Sequence, residues 1–179
     1  KLRKREGISA RTLEFIILTA ARSGEARGAR WDEIDGDCWT VPAERMKTGT
    51  SHRVPLCPRA IEILAKLKGL DADLCFPSPS LGRDRKARKQ SDTVFVALLK
   101  RMKVDGITTH GFRATVRDWC AESAHAPREV SEAALSHAVG NAVERAYARS
   151  DLYQRRETLM ADWGRYCSGE TGQIVRLAR

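Results

Sequence analysis

The hydrophobic period of this chain changes at Trp31 and changes back at Pro58, and few folds accommodate that. Before Trp31, the residues Leu13, Ile16, Ile17 and Ala20 follow the i, i+3, i+4, i+7 spacing of an amphipathic helix. Then Trp31 to Ile34, Cys38 to Val41 and His52 to Leu56 read as three short strands. Asp35-Gly36-Asp37 and Thr48-Gly49-Thr50 supply the turns between them. Pro42 and Pro55 fit strand ends, where a missing N–H does no harm. Beyond Pro58 the helical spacing returns, with Ala60, Ile63, Leu64 and Leu67 on one face. A small antiparallel sheet is therefore set into a helical chain.

Ser23-Gly24 weakens the first helix next to Arg22, which places that arginine at a helix end or turn, and a short second helix is expected through Glu25 to Arg30. Residues 71–90 read as a loop, with Pro77, Pro79, Gly82 and a basic cluster. Ser91 or Asp92 is the expected cap of a helix carrying Phe95, Leu98, Leu99 and Met102. Thr108 or Thr109 is the expected cap of the next, which runs to about Ser123 with Phe112, Val116, Trp119 and Cys120 inward. Pro127 opens a short helix to about Leu135. Gly140-Asn141 separates His137 from a helix through Tyr147, and a last helix from Leu152 to Cys167 buries Leu159, Met160 and Trp163. The fold class is mainly α with a small antiparallel β-sheet (α+β).

A length of 179 residues suits one domain with a sizeable core. Hydrophobic residues at 42% and charged residues at 31% exclude a disordered chain. The longest apolar run, Phe15 to Ala21, falls far short of the roughly 18 residues of a membrane span. The net charge of +9 points to a polyanionic partner, most often nucleic acid, with a merely solvated basic surface as the alternative. Basic residues cluster at Lys1 to Arg5 and at Arg83 to Lys89, where Arg83, Arg85 and Lys86 are candidate DNA contacts. The five cysteines are scattered, with no Cys-x-x-Cys pair, which argues against a zinc ribbon and fits a reducing cytoplasm. His52, His110, His125 and His137 lack metal-ligand spacing, so neither metal nor cofactor is expected.

Six residues stand in an order that carries chemistry: Arg22, Lys47, His110, Arg113, His137 and Tyr147. Attack on a phosphodiester needs its oxygens neutralised, its nucleophile deprotonated and its leaving 5′ oxygen protonated. Arginine forks two donors onto phosphate and keeps its charge. Histidine titrates near neutrality, lysine becomes an acid when neighbouring cations lower its pKa, and tyrosine forms a covalent phosphodiester. His110 and Arg113, three apart, share one helix face at its N-terminal end. Each residue also has a plainer role open to it. Arg22 and Glu25 can be an intrahelical ion pair, Lys47 a solvated turn residue, and His137 a capping histidine. Arg27 and Arg30 compete with Arg22 for a phosphate, and Tyr153 competes with Tyr147 as nucleophile.

The local segments resemble the catalytic domain of a tyrosine recombinase, most similar to integrases of phages and genomic islands. They are Arg22-Ser-Gly-Glu25, Met46-Lys47-Thr-Gly49 followed by His52-Arg-Val-Pro-Leu56, His110-Gly-Phe-Arg113, Leu135-Ser-His137 and Ala146-Tyr147-Ala-Arg-Ser-Asp151. The family often carries Thr-Gly where this chain has Thr19-Ala20, and Leu-Gly-His beside Leu-Ser-His. The resemblance implies site-specific DNA recombination, for integration or excision, through a 3′-phosphotyrosyl intermediate on Tyr147. Arg22, His110, Arg113 and His137 would hold the phosphate. Lys47 would protonate the leaving 5′ hydroxyl, and Arg53 would be a backbone or DNA contact. It further implies double-stranded attachment sites, a homotetramer on DNA, DNA-bending accessory proteins, no ATP, and a place in the bacterial cytoplasm at the nucleoid. The chain begins at Lys1 and reads as a fragment. The expected division is a catalytic domain over 1–168 and a tail over 169–179 that exchanges between protomers, without the family's core-binding and arm-binding domains. A type IB topoisomerase and a non-catalytic helical DNA-binding module are the other readings of the same residues.

Overall fold

The structure, a computed structural model, describes residues 1–82, 84–137 and 150–170. The expectations for Arg83, for a helix through Tyr147 and for most of the tail lie outside the described residues. Helix α1 spans Ile8–Thr19, and its apolar face is buried at Leu13, Phe15, Ile16 and Leu18. It packs against most of the other helices and so forms the axis of the fold. It ends because Ala20 adopts left-handed backbone, with φ 53°. Glycine is the usual residue there, since a Cβ makes that conformation cost about 1 kcal/mol or more.

Helix α2 is the single short stretch Ser23–Arg27, two residues earlier at its start and three shorter at its end than the spacing suggests. The cause is Glu25. Its carboxylate accepts the Arg22 backbone N–H at 2.8 Å, half of a capping box, and this fixes the helix start at Arg22. Trp31 to Glu33, expected in a strand, forms a 3-10 turn instead. Glu33 there accepts the indole N–H of Trp39 at 2.9 Å, and Trp31 donates its own to the Asp71 carbonyl at 3.1 Å. Those two side-chain bonds hold the turn where a ladder would otherwise form.

The sheet has strands β1 (Ile34–Asp35), β2 (Cys38–Val41) and β3 (His52–Pro55), antiparallel in that order. Trp39 lies opposite Ile34 on one side and Val54 on the other. Trp39, Val41 and Val54 face the core, while Thr40 and Arg53, paired with each other, face outward. Gly36 turns β1 into β2 at φ 56°. The ten-residue link from β2 to β3 is rooted by the buried Met46, which leaves Lys47 exposed at its tip.

Helix α3 (Pro58–Leu67) begins on proline, whose missing N–H is harmless there, and buries Ala60, Ile63, Leu64 and Leu67 as expected. Helix α4 (Val94–Arg101) starts from Thr93 rather than Ser91 or Asp92. Asp92 is engaged by Arg27, which removes it from capping. Helix α5 (Gly111–Glu122) starts from His110, and Thr108 accepts the Gly111 N–H at 3.0 Å. Helix α6 (Arg128–Ala134) follows Pro127, and α7 (Tyr153–Ser168) follows Leu152.

Two apolar clusters result. One joins α1, the sheet, α3 and α4 around Phe15, Trp39 and Phe76; the other joins α5, α6 and α7 around Trp119, Leu135 and Trp163. Each fully buried side chain of this size contributes about 1.5–3 kcal/mol. Before α2 the chain touches the seam between them: Ala20 belongs to the second cluster and Ala21 to the first. Arg22 is the next residue. All five cysteines are free, and among the described residues no helix is long and apolar enough to cross a membrane.

Candidate active site

The seam brings three of the six residues together. Arg113, on the first turn of α5, is 5% exposed and reaches into the seam. Its guanidinium donates to the Ala20 carbonyl, to the Leu135 carbonyl at 2.5 Å and to Nε2 of His137 at 3.2 Å. Arg22 donates to Glu25 at 2.8 Å and to the Ser136 carbonyl at 3.4 Å. Both arginines are thus held by carbonyls of the 135–136 turn. That turn exists because Ser136 is left-handed, with φ 51°. Ala20 and Ser136 both have the backbone glycine favours, φ 53° and 51°.

Burial, and then the Arg22 charge, pull the Arg113 pKa down to about 10, with Glu25 opposing them. Like charges this close in a dry seam create a field that favours an anion. Arg113 Nε is buried and finds no acceptor among the described residues. His137 is oriented from behind. A guanidinium only donates, so Nε2 is the acceptor and the ring proton sits on Nδ1, which donates to Glu132 at 2.6 Å. Glu132 in turn pairs with Arg117 at 3.1 Å. No spacing rule singles out Glu132, since it acts across a helix end.

His110 and Lys47 stand apart from this cluster. Both are exposed, His110 at the head of α5 and Lys47 at the hairpin tip. A cavity of about 250 Å³ nevertheless joins that hairpin to the cluster, lined by Thr48, Thr50, His52, Ser136 and His137 and closed by Asp151 and Arg156. The hairpin root is tied to α2, because Arg45 donates to the Glu25 carbonyl at 2.6 Å and pairs with Glu33 at 3.3 Å. His52 is a site residue that the sequence did not mark. Burial first, then the Arg156 charge, pushes its pKa down to about 4, with a smaller push from Arg113; Glu25 and the Ala134 backbone pull the other way.

The rivals have other work. Arg27 is buried on Ser23, the Gln90 carbonyl and Asp92, and Arg30 is half-exposed beside Asp73. Arg53 is forked onto Asp151, while Arg85 and Lys86 are exposed. Tyr153 lies under the guanidiniums of Arg53 and Arg156, 4.4 and 5.5 Å from its ring centre, and burial pushes its phenol well up. Tyr166 stacks on Trp163 near the far end of α7. Tyr147 lies outside the described residues. Among the described residues no group of histidine, cysteine and carboxylate side chains could hold a metal.

The description "Phage integrase family" matches residues 4–153, most of the chain. The chain belongs to that family. It is 37% identical to Prophage integrase IntA of Escherichia coli (strain K12) over 89% of its own length, covering 39% of that relative. It is 34% identical to the Integrase of Enterobacteria phage P4, with 84% and 38% covered. It is 27% identical to the Integrase of Shigella phage Sf6, with 87% and 42% covered. The chain therefore spans about two fifths of the length of these relatives. No solved structure matches it. The integrase family match covers Arg22, Lys47, His110, Arg113, His137 and Tyr147 alike.

Proposed function

We propose that this chain is the catalytic domain of a site-specific DNA recombinase that integrates or excises phage or genomic-island DNA. The observation that carries the reading is the Arg22–Arg113–His137 cluster, in which two cations and an imidazole from three separate segments converge on one seam. In this reading the scissile phosphate enters beside Arg22 and Arg113, and their donors neutralise its non-bridging oxygens. Tyr147 attacks phosphorus. Of the three tyrosines, Tyr153 is held beneath two guanidiniums and Tyr166 stacks on Trp163 near the far end of α7, which favours Tyr147. The short tether from Asp151 back to Tyr147 reaches no further than about 14 Å, and Asp151 lines the cavity that holds His137.

Two protons move. The leaving O5′ takes one from Lys47, whose hairpin borders the same cavity. The phenol gives one to His110. The other histidines are poorly suited: His137 has both ring nitrogens engaged, His52, pushed down to about 4, is too weak a base, and His125 lies beyond the opposite end of α5, roughly 18 Å of helix away. A 5′ hydroxyl from a second strand then reverses the step on a new partner, with bond energy conserved. Exchange between two duplexes calls for four protomers on DNA attachment sites and for proteins that bend the DNA. DNA as substrate places the protein in the bacterial cytoplasm at the nucleoid. Residues 1–168 form the domain, 169–179 serve as an exchange segment, and exposed Arg85 and Lys86, with Arg83, track the DNA backbone.

The experiment is a nicked suicide duplex that carries the attachment site, incubated with the full-length protein. A covalent protein–DNA adduct is expected, and Tyr147→Phe should abolish it while binding persists. An adduct that survives Tyr147→Phe removes this assignment, and no adduct from the wild type removes the recombinase reading.

A further inference from the structure

Outside the phosphate cluster, a dense polar contact lies where β3 meets the head of α7. Arg53, on β3, forks its Nε and one Nη onto the two carboxylate oxygens of Asp151, each at 2.9 Å. Arg156, on α7, is 1% exposed and makes three bonds there: to the Asp151 carbonyl at 2.7 Å, to the Asp151 carboxylate at 2.9 Å and to the Arg53 carbonyl at 2.5 Å. The Asp151 carboxylate also accepts the Tyr153 N–H at 3.2 Å, and the Tyr153 ring lies beneath both guanidiniums. One aspartate is thus gripped from two elements through its side chain and its backbone.

A half-exposed Arg–Asp fork adds little to stability by itself. Its location gives it a further use. β3 is the strand that returns from the turn of Lys47, and Asp151 shortly follows Tyr147 in the chain. The carboxylate therefore ties the proton donor's hairpin to the head of α7. Lys47 and Tyr147 must work on opposite sides of one phosphorus, where an error of about 1 Å costs roughly a hundredfold in rate. We propose that Asp151, through Arg53 and Arg156, is a positioning residue that holds the hairpin of Lys47 against the head of α7. This rests on the recombinase reading. The step it serves forms the Tyr147 oxygen–phosphorus bond and breaks the phosphorus–O5′ bond; Lys47 protonates O5′ and His110 accepts the phenol proton. Arg53 then acts inside the protein, not as a DNA contact.

The test is single-turnover adduct formation by the full-length protein, on ordinary suicide DNA and on DNA with sulfur in place of the bridging O5′. A thiolate leaves without a proton, so the second substrate bypasses the donor. Asp151→Asn should slow adduct formation about tenfold or more on ordinary DNA, with DNA affinity unchanged. Its defect should shrink at least threefold on the sulfur substrate, as the defect of Lys47→Ala does. Combined with Lys47→Ala it should add less than its single effect. If Asp151→Asn unfolds, Arg53→Lys reads the same coupling, because lysine keeps the charge and loses the fork. An equal defect on both substrates, or full additivity with Lys47→Ala, overturns the proposal while leaving the recombinase reading intact. An inert wild type sinks that reading, and the clasp with it.

Discussion

His52 should make this protein lose stability between pH 7 and pH 4, before most carboxylates titrate. Its imidazole lies among Arg156, Arg113 and Glu25, and its pKa falls from the ordinary 6.5 to about 4. In the unfolded chain it binds a proton near pH 6.5; in the folded chain it does not. Unfolding therefore takes up a proton between those values, so stability is fully present above 6.5 and drains as pH falls toward 4. A shift of this size corresponds to about 3 kcal/mol in total, of which about 2 kcal/mol is gone by pH 5. Asp151 does not blur the window. Burial pulls its pKa up, but the Arg53 bond and the Arg156 and Arg53 charges outweigh that and hold it below 3.8, so its contribution is lost only at lower pH. The assay is urea unfolding at constant ionic strength from pH 7.5 to pH 4.5, for wild type and His52→Gln. The variant should show a flatter profile, with the gap between the two curves closing as the pH falls. Parallel curves would refute the reasoning, as would an imidazole resonance from His52 that titrates near 6.5.

Two further outcomes follow from packing. Arg27→Ala should cost about 2–3 kcal/mol in a urea melt, because it strips the partner from the buried Gln90 carbonyl, yet leave adduct formation by the folded protein within about twofold. A large catalytic loss with little loss of stability would return Arg27 to the list of phosphate ligands. Gly164→Ala should cost about 1–3 kcal/mol, since its new Cβ would sit 2.8 Å from the Cβ of Cys57 and 2.9 Å from its sulfur. Unchanged stability would mean that α7 and the start of α3 part readily enough to admit the methyl group.

Local pattern was enough wherever a residue acts on its own element. The faces of α3, α5 and α7 and two of the strands were legible because burial follows period and the turns carried glycine, whereas α1, expected to bury one face, is buried nearly all round, at Thr12, Phe15 and Leu18 as well as Leu13 and Ile16. The start of β1 was not. Trp31 alternates well enough for a strand, but its indole bonds to Asp71, 40 residues away, and no window of sequence contains that partner. Asp92 failed as a cap for the same reason, drawn off by Arg27. In the site, Arg22, Arg113 and His137 could be named but not their fastening. The carbonyls of Ala20, Leu135 and Ser136 that hold the arginines are backbone atoms, and composition is silent about them. Glu132 and Arg156 had no motif of their own, and His52 stood in a quoted segment without a role. Their parts come from what packs beside them across helix ends and strand edges.

On the proposed reaction the site divides its cations by task, and electrostatics explains the division. Arg113 and Arg22 are fixed by backbone carbonyls and Glu25, and a group that stabilises charge works best when it need not reorganise as that charge develops. Arginine tolerates the seam because even a pKa lowered to about 10 leaves it protonated at neutral pH; a lysine there would start from a lower value and risk losing its charge. The groups assigned to move protons have the opposite need. A donor must reach the leaving oxygen and then be recharged from solvent, and Lys47 and His110 are exposed at a hairpin tip and a helix head. Burying either would shift its pKa and cut it off from water. On the proposed reaction, the fixed interior pair neutralises the phosphate and the exposed outer pair moves the protons. It also follows that the hairpin, free at its tip, must be restrained at its base, by Arg45 on one strand's exit and by Arg53 on the other's return.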